Sequence, residues 1–245
     1  NALHGQFGED GYIQTILDKY KIPYTHSGAI ASSIAMDKEI SKKLFVKNKI
    51  KTPKFFTYSY DSTKSNLIKK INKKLRFPVV IKPLNEGSSV NVYICNKNTL
   101  DKFVDKLKAY KKILIEEFIG GREIQVAIKG NEKLGAIELK PKRKFYDYQA
   151  KYDSKSKTQH IIPVDLPKSK FNKIMNIAYK AHKIIGCRGV TRSDFKFFNG
   201  NFYLLELNTQ PGMTKLSLVP EIALHKGISF LKLIEWMLKD ASKKK

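Results

Sequence analysis

The stretch from Arg192 to Asn208, RSDFKFFNGNFYLLELN, constrains this chain more than any other. Two runs rich in aromatic and branched residues flank a glycine-containing connection, which is a hairpin pattern. With a three-residue loop over Asn199, Gly200 and Asn201, a common length, Phe198 faces Phe202, Asp194 faces Glu206 and Arg192 faces Asn208. Two carboxylates are then opposed on one sheet face, and like charges placed so repel. Either one of them is protonated or a cation lies between them. Asp, Glu and Asn oxygens together suit a hard cation such as Mg²⁺, which keeps sites for water and phosphate oxygens. A solvated polar face neutralised by Lys196 is the alternative for the same register.

A hairpin of this kind needs a sheet and a core around it. The 245 residues allow one large domain or two small ones, and 42% of them are hydrophobic. No apolar run reaches the roughly 18 residues of a membrane span, so no membrane association is expected. The chain opens at NALHGQFGEDG, without methionine or a signal-peptide pattern, and reads as the continuation of a longer protein. Cys95 and Cys187 form no disulfide framework or zinc spacing, which points to a reducing cytoplasm. His4, His26, His160, His182 and His225 show no metal-ligand spacing, and His182 reads as structural.

The net charge is +25, yet only Arg76, Arg122, Arg143, Arg188 and Arg192 are arginine among the 47 basic residues. Lysines are spread along the whole chain with many Asn and Ile, and no nucleic-acid motif accompanies them. A compositional bias accounts for this better than a nucleic-acid-binding face.

Periodicity places helices on GEDGYIQTILDKY, SSIAMDKEISKKLFVKNKI, NLIKKINKKL, TLDKFVDKLKAY, SKFNKIMNIAYKAHKII and ISFLKLIEWMLKDA. The second is read as one helix capped by Ser32 or Ser33. Strands fall on TPKFFTYSY, FPVVIKP, NVYIC and KILIEEFI, and EIQVAIKG with KLGAIELKP forms a second hairpin. Without strict βαβ alternation, this order favours an α+β layout with antiparallel sheets.

Two further stretches carry chemistry. In VVIKPLNEGSSVNVYI, two strands flank a loop of Gly and Ser whose backbone N–H groups can cradle phosphates, with Lys82 at the end of the first strand. Neither a Walker A loop nor G-x-G-x-x-G is present. In KFYDYQAKYDSKSKTQHIIP, tyrosines and lysines share a polar segment that reads as a mobile loop over a rigid scaffold.

ALHGQFGEDG, IPYTHSG, AMDK, FPVVIKPLNEGSSVNV, FYDYQAKY, GCRGVTRSDF and LLELNTQPGMTKLSLVP occur in the order seen in D-alanine–D-alanine ligases of the ATP-grasp superfamily. The chain resembles that family over nearly its whole length. The resemblance implies an ATP-grasp fold, two α+β subdomains gripping ATP, with the remnant of an N-terminal α/β domain. Residues 1–28 would end that domain, 29–116 would form the central subdomain, and 117–245 the C-terminal subdomain with the substrate and metal site. It implies an activity in which ATP phosphorylates one D-alanine and the amine of a second displaces phosphate. Two Mg²⁺ ions, or Mn²⁺, are the implied metals, and a homodimer is the implied assembly.

The same resemblance assigns roles. Lys38 and Lys82 would contact phosphates, within the loop of Ser88 and Ser89. Glu116, Glu117 and Ile119 would meet the adenine, Glu123 the ribose. Tyr146 and Lys151 would reach the nucleotide from the tyrosine-rich loop. Asp194, Glu206 and Asn208 would hold the metal. Arg192 and the Gly212 N–H would stabilise the tetrahedral oxyanion, and Ser217 with Leu218 would bind the second carboxylate. Ser88 and Tyr152 would lie near the first D-alanine, with His4, then Glu9, as further candidates for that substrate. Two positions depart from the family pattern: YTGSG reads YTHSG here, and GSSVGV reads GSSVNV. Family members also begin with a further segment carrying a glutamate for the first substrate's ammonium. D-lactate or D-serine as second substrate, or polyanion binding without catalysis, are the alternatives.

Overall fold

A computed structural model describes residues 1–87, 90–140, 158–214 and 217–243. Near its start lie α1 (Tyr12–Lys19), α2 (Ala29–Met36) and α3 (Lys38–Lys47). The single helix expected over α2 and α3 is broken. Asp37 takes an extended conformation, and its carboxylate accepts from the backbone N–H groups of Glu39 and Ile40 at 2.8 and 2.9 Å. An aspartate that caps a new helix ends the old one, so Asp37 is the capping residue. Ser32 instead lies buried inside α2. The restart makes Lys38 the first residue of α3.

The first sheet is antiparallel, in the order β1-β4-β2-β3: β1 (Phe55–Ser59), β2 (Val79–Pro83), β3 (Tyr93–Cys95) and β4 (Lys112–Glu117). α4 (Lys64–Lys74) and α5 (Leu100–Lys106) close one face through Leu67, Ile71, Leu100 and Val104, packed on Phe56, Ile81, Ile113 and Ile115.

The second sheet is also antiparallel, in the order β7-β6-β5-β8-β9: β5 (Arg122–Lys129), β6 (Glu132–Lys140), β7 (Gln159–Ile161), β8 (Val190–Phe198) and β9 (Asn201–Asn208). The long helix α6 (Lys168–Ile185) covers one face, where Ile124, Val126, Phe195 and Leu204 meet Ile174 and Ala178. Ala31, Ala35 and Phe45 of α2 and α3 join this core. α7 (Leu218–His225) and α8 (Phe230–Ala241) cover part of the other face through Val219, Ile222, Leu233 and Met237. The mixed α+β layout expected from the sequence is the one observed.

The β8–β9 hairpin differs from its expected form in an instructive way. Its turn has two residues, Asn199 and Gly200, both at positive φ (46° and 72°), so Phe198 pairs with Asn201, and Phe202 pairs with Phe197. Such a turn matches the natural twist of paired strands, and Asn-Gly is its preferred sequence. The register then shifts between Phe195 and Asp194, leaving Leu205 as an extra residue on β9. Beyond this bulge Asp194 faces Glu206 and Arg192 faces Asn208, as expected. The bulge also exchanges faces: Phe202 and Leu204 are buried before it, Leu207 after it. Without it, Glu206 would share the core face of Phe202 and Leu204, because side chains alternate strictly along a strand.

Candidate active site

Each sheet turns one polar face toward a common cleft. From the first sheet come Lys82 on β2 and Glu116 on β4, and from α3 come Lys38 and Lys42. Lys38, Ser41, Lys42 and Phe45 form the buried stripe of that helix. Glu116 is buried between two ammonium groups: Lys82 Nζ lies 2.5 Å from Oε1 and Lys42 Nζ 2.9 Å from Oε2. Burial alone would raise the Glu116 pKa, but Lys42 and Lys82 override it and hold the carboxyl below its usual range. Burial pushes Lys42 down to about 8, against the pull of Glu116. It also lowers Lys38, with Glu206 opposing.

From the second sheet, Arg192, Asp194 and Lys196 alternate along β8 toward the cleft. Arg192 grips Asp194 with two hydrogen bonds of 2.8 and 3.0 Å. Lys196 pairs with Glu123 on the neighbouring strand β5 at 2.9 Å, so it does not neutralise Asp194 and Glu206. Lys38 Nζ lies 4.0 Å from Glu206 Oε2 and donates to the Glu86 carbonyl at 2.5 Å. The opposed carboxylates are thus compensated by Arg192 on one strand and Lys38 from the facing helix.

Two cavities occupy the cleft. The smaller, about 90 Å³, is lined by Lys82, Glu116, Glu117, Ile119, Glu123, Asp194 and Leu205 among others. The larger, about 430 Å³, is lined by His4, Glu9, Gln125, Arg192, Asn208, Gly212, Ser217 and Leu218. Both are also lined by Lys38, Glu86 and Glu206. In the larger one, His4 Nδ1 lies 2.7 Å from Glu9 Oε1. The Ser217 hydroxyl accepts from the Thr214 N–H at 3.0 Å, just ahead of the first turn of α7. A Cβ on Gly212 would come within 3.0 Å of that hydroxyl, so a glycine lets the two segments approach.

Asp194, Glu206 and Asn208 fit a hard cation by donor type: two carboxylates and an amide oxygen in facing positions. No group of three or more His, Cys, Asp or Glu that could hold a metal ion occurs among the described residues, so the set depends on the Asn208 amide. Gln125, opposite Asp194 on β5, adds a buried amide oxygen with no hydrogen-bond partner. Ser88, Ser89, Tyr146, Lys151 and Tyr152 lie outside the described residues.

Both departures from the family pattern sit in left-handed backbone, His26 at φ 71° and Asn91 at φ 56°, where a glycine is at ease. Asn91 is tethered there: its amide donates to the Tyr110 hydroxyl at 2.8 Å and accepts from the Tyr93 hydroxyl at 3.1 Å. Sequence reasoning missed Lys42, Glu86 and Gln125. Only the spacing of Lys38 and Lys42, one helical turn apart, signalled that both share a face.

The comparisons agree with this geometry. The family model for the D-ala D-ala ligase C-terminus matches residues 44–239. A D-alanine–D-alanine ligase of Pelagibacter ubique is 73% identical over 242 residues, covering 99% of this chain and 80% of that one. One from Wolbachia pipientis is 42% identical over 245 residues, covering 98% and 76%. A crystal structure of the Bacillus anthracis D-alanine–D-alanine ligase complexed with ATP superposes with a TM-score of 0.83 at 29% identity, covering 98% of this chain and 77% of that one. Two antiparallel sheets closing on one cleft, with Lys82 and Glu116 on one and Arg192, Asp194, Glu206 and Asn208 on the other, make this an ATP-grasp protein. Within that class, the chain belongs to the D-alanine–D-alanine ligase family.

Proposed function

We propose that this protein joins two molecules of D-alanine at the expense of ATP, giving D-alanyl-D-alanine for peptidoglycan, with ADP and phosphate released. The observation that carries the reading is the meeting of two cavities at Lys38, Glu86 and Glu206. One offers lysines and a buried carboxylate to a nucleotide. The other offers Arg192, Gly212 and a helix N-terminus at Ser217–Leu218, which suit small carboxylic acids. Phosphoryl transfer from nucleotide to carboxylate needs the two to adjoin.

In this reading the carboxylate of the first D-alanine attacks the γ-phosphorus of ATP, and the bond to ADP breaks with its electron pair on ADP. The amine of the second attacks the acyl carbon, loses a proton, and phosphate departs with the other bonding pair. Lys38 and Lys82 neutralise charge spread over the phosphoryl oxygens, the main demand of such a transfer. Glu116, Glu117 and Ile119 take the adenine, and Glu123 the ribose. Arg192 and the Gly212 N–H serve the tetrahedral oxyanion as fixed donors. Ser217 and Leu218 receive the second carboxylate, and His4 borders the first substrate. Ser88, Ser89, Tyr146, Lys151 and Tyr152 complete the site. Asp194, Glu206 and Asn208 would hold Mg²⁺, or Mn²⁺, which neutralises and aligns the phosphate oxygens when bound. Assembly as a homodimer and a cytoplasmic location belong to the same reading. No helix among the described residues is long and apolar enough to cross a membrane.

The test is ADP release by the protein with Mg²⁺ and D-alanine. D-alanine-dependent release with D-alanyl-D-alanine as product is expected. No release at saturating substrate, or release that requires D-lactate or D-serine, would overturn the reading.

A further inference from the structure

We propose that Lys42 is a positioning residue that ties Glu116, at the nucleotide end of the cleft, to the β9 bulge that aims Glu206. The link runs through Thr52 and the Leu204 carbonyl. It rests on the reading of Glu116 and Glu206 given above.

Lys42 is fully buried, and a buried ammonium is costly unless paired. Glu116 already has Lys82 on Oε1, so neutralising one carboxylate does not require a second lysine. What Lys42 adds is reach. Its ammonium lies 2.9 Å from Glu116 Oε2 and donates to Thr52 Oγ1 at 2.7 Å. The Thr52 hydroxyl donates in turn to the Leu204 carbonyl at 2.7 Å. Leu204 is the residue just before the bulge at Leu205, and its N–H donates to the Lys51 carbonyl at 2.9 Å. Both backbone groups of Leu204 are therefore held by Lys51 and Thr52.

The same connecting segment grips the first sheet, where the Glu117 N–H donates to the Lys54 carbonyl at 2.9 Å. Residues 51–54 thus strap β9 to β4, and the Lys42 ammonium, from α3, donates to Thr52 within the strap. Oε2 of Glu116 is buried on the side away from Lys82. Lys42, 2.9 Å away, is the cation that compensates it. β9 is the edge strand of its sheet, so no further strand pins the bulge from outside. Partners one step removed from a metal ligand set its orientation, and their loss weakens metal affinity by about tenfold to a hundredfold.

Calorimetric titration separates this role from a merely structural one. Thr52→Val removes the hydroxyl at nearly constant volume and leaves the Lys42–Glu116 pair in place. The half-saturating Mg²⁺ concentration for ATP binding should rise by about tenfold or more, while ADP affinity without metal stays within about twofold. Lys42→Met should weaken both. Should Lys42→Met fail to fold, Thr52→Val decides alone. An unchanged Mg²⁺ requirement in Thr52→Val, or equal weakening of its metal-dependent and metal-free binding, overturns the relay. If wild-type protein binds no nucleotide, the site reading falls and the relay with it. Wild-type binding with an unmoved variant sinks only the relay.

Discussion

Asp194 and Glu206 stand directly opposite each other on β8 and β9, although the turn joining these strands is one residue shorter than that pairing alone would require. The bulge at Leu205 makes up the difference and turns Glu206 from the core face to the cleft. Bulges beside active sites commonly re-aim a side chain in this way. Inserting one alanine between Leu205 and Glu206 should therefore turn the Glu206 carboxylate onto the core face of Leu204, since side chains alternate along a strand. Denaturant unfolding should show a loss of at least about 3 kcal/mol, with ATP binding abolished. Retention of ATP affinity by the insertion variant would show that the facing of Glu206 does not govern nucleotide binding.

Replacing Glu206 by Gln removes one of the two opposed charges. Repulsion alone would make this change stabilising. Arg192 already grips Asp194, and Lys38 lies near Glu206, so stability should change by no more than about 1 kcal/mol. Turnover should fall by orders of magnitude at limiting Mg²⁺. Turnover near wild type under that condition would remove Glu206 from the metal set.

Lys82 is 6% exposed and paired with buried Glu116. Lys82→Met leaves that carboxylate with Lys42 alone. A loss of about 1–3 kcal/mol in thermal unfolding is expected, together with weaker ATP binding by calorimetry. A lysine at a solvated strand end would change neither quantity.

Much of this was legible in the sequence for a definable reason. The facing of Asp194 and Glu206 followed from period-two alternation, yet it was reached through a three-residue turn that does not exist. A short turn plus a bulge and a longer turn without one give the same register at the far end. Leu205 carries no signature, because a bulge of this kind needs no glycine. The Asp37 break was hidden inside a continuous helical periodicity, since one capping carboxylate outweighs several good helix formers only once its N–H partners are in place. Lys42 was lost among lysines, which are rarely fully buried; its burial depends on Glu116, more than seventy residues away in sequence.

Acid should weaken the fold in a specific window. Burial pushes His26 and His182 down to about 4 from 6.5. Between those values the unfolded chain binds more protons than the folded one. The stability contributed by these neutral imidazoles is therefore complete above about pH 6.5 and is lost as pH falls toward 4. The shifts correspond to at most about 3 kcal/mol for each histidine. Loss of the Glu116 contribution follows at lower pH, because its folded pKa is also lowered. Denaturant titrations of His182→Gln from pH 7 to 4.5 should show a shallower fall than wild type; an identical slope would remove His182 as a contributor.

The central claim is that the nucleotide and amino-acid cavities, joined at Lys38, Glu86 and Glu206, support phosphorylation of a carboxylate. The most direct measurement supplies D-alanine labelled with heavy oxygen in its carboxylate, together with ATP and Mg²⁺, and analyses the released phosphate by mass spectrometry. An acyl phosphate requires one labelled oxygen to pass from each consumed carboxylate into phosphate. Recovery of that label in step with dipeptide formation is the predicted result, and dipeptide formed with unlabelled phosphate would contradict it.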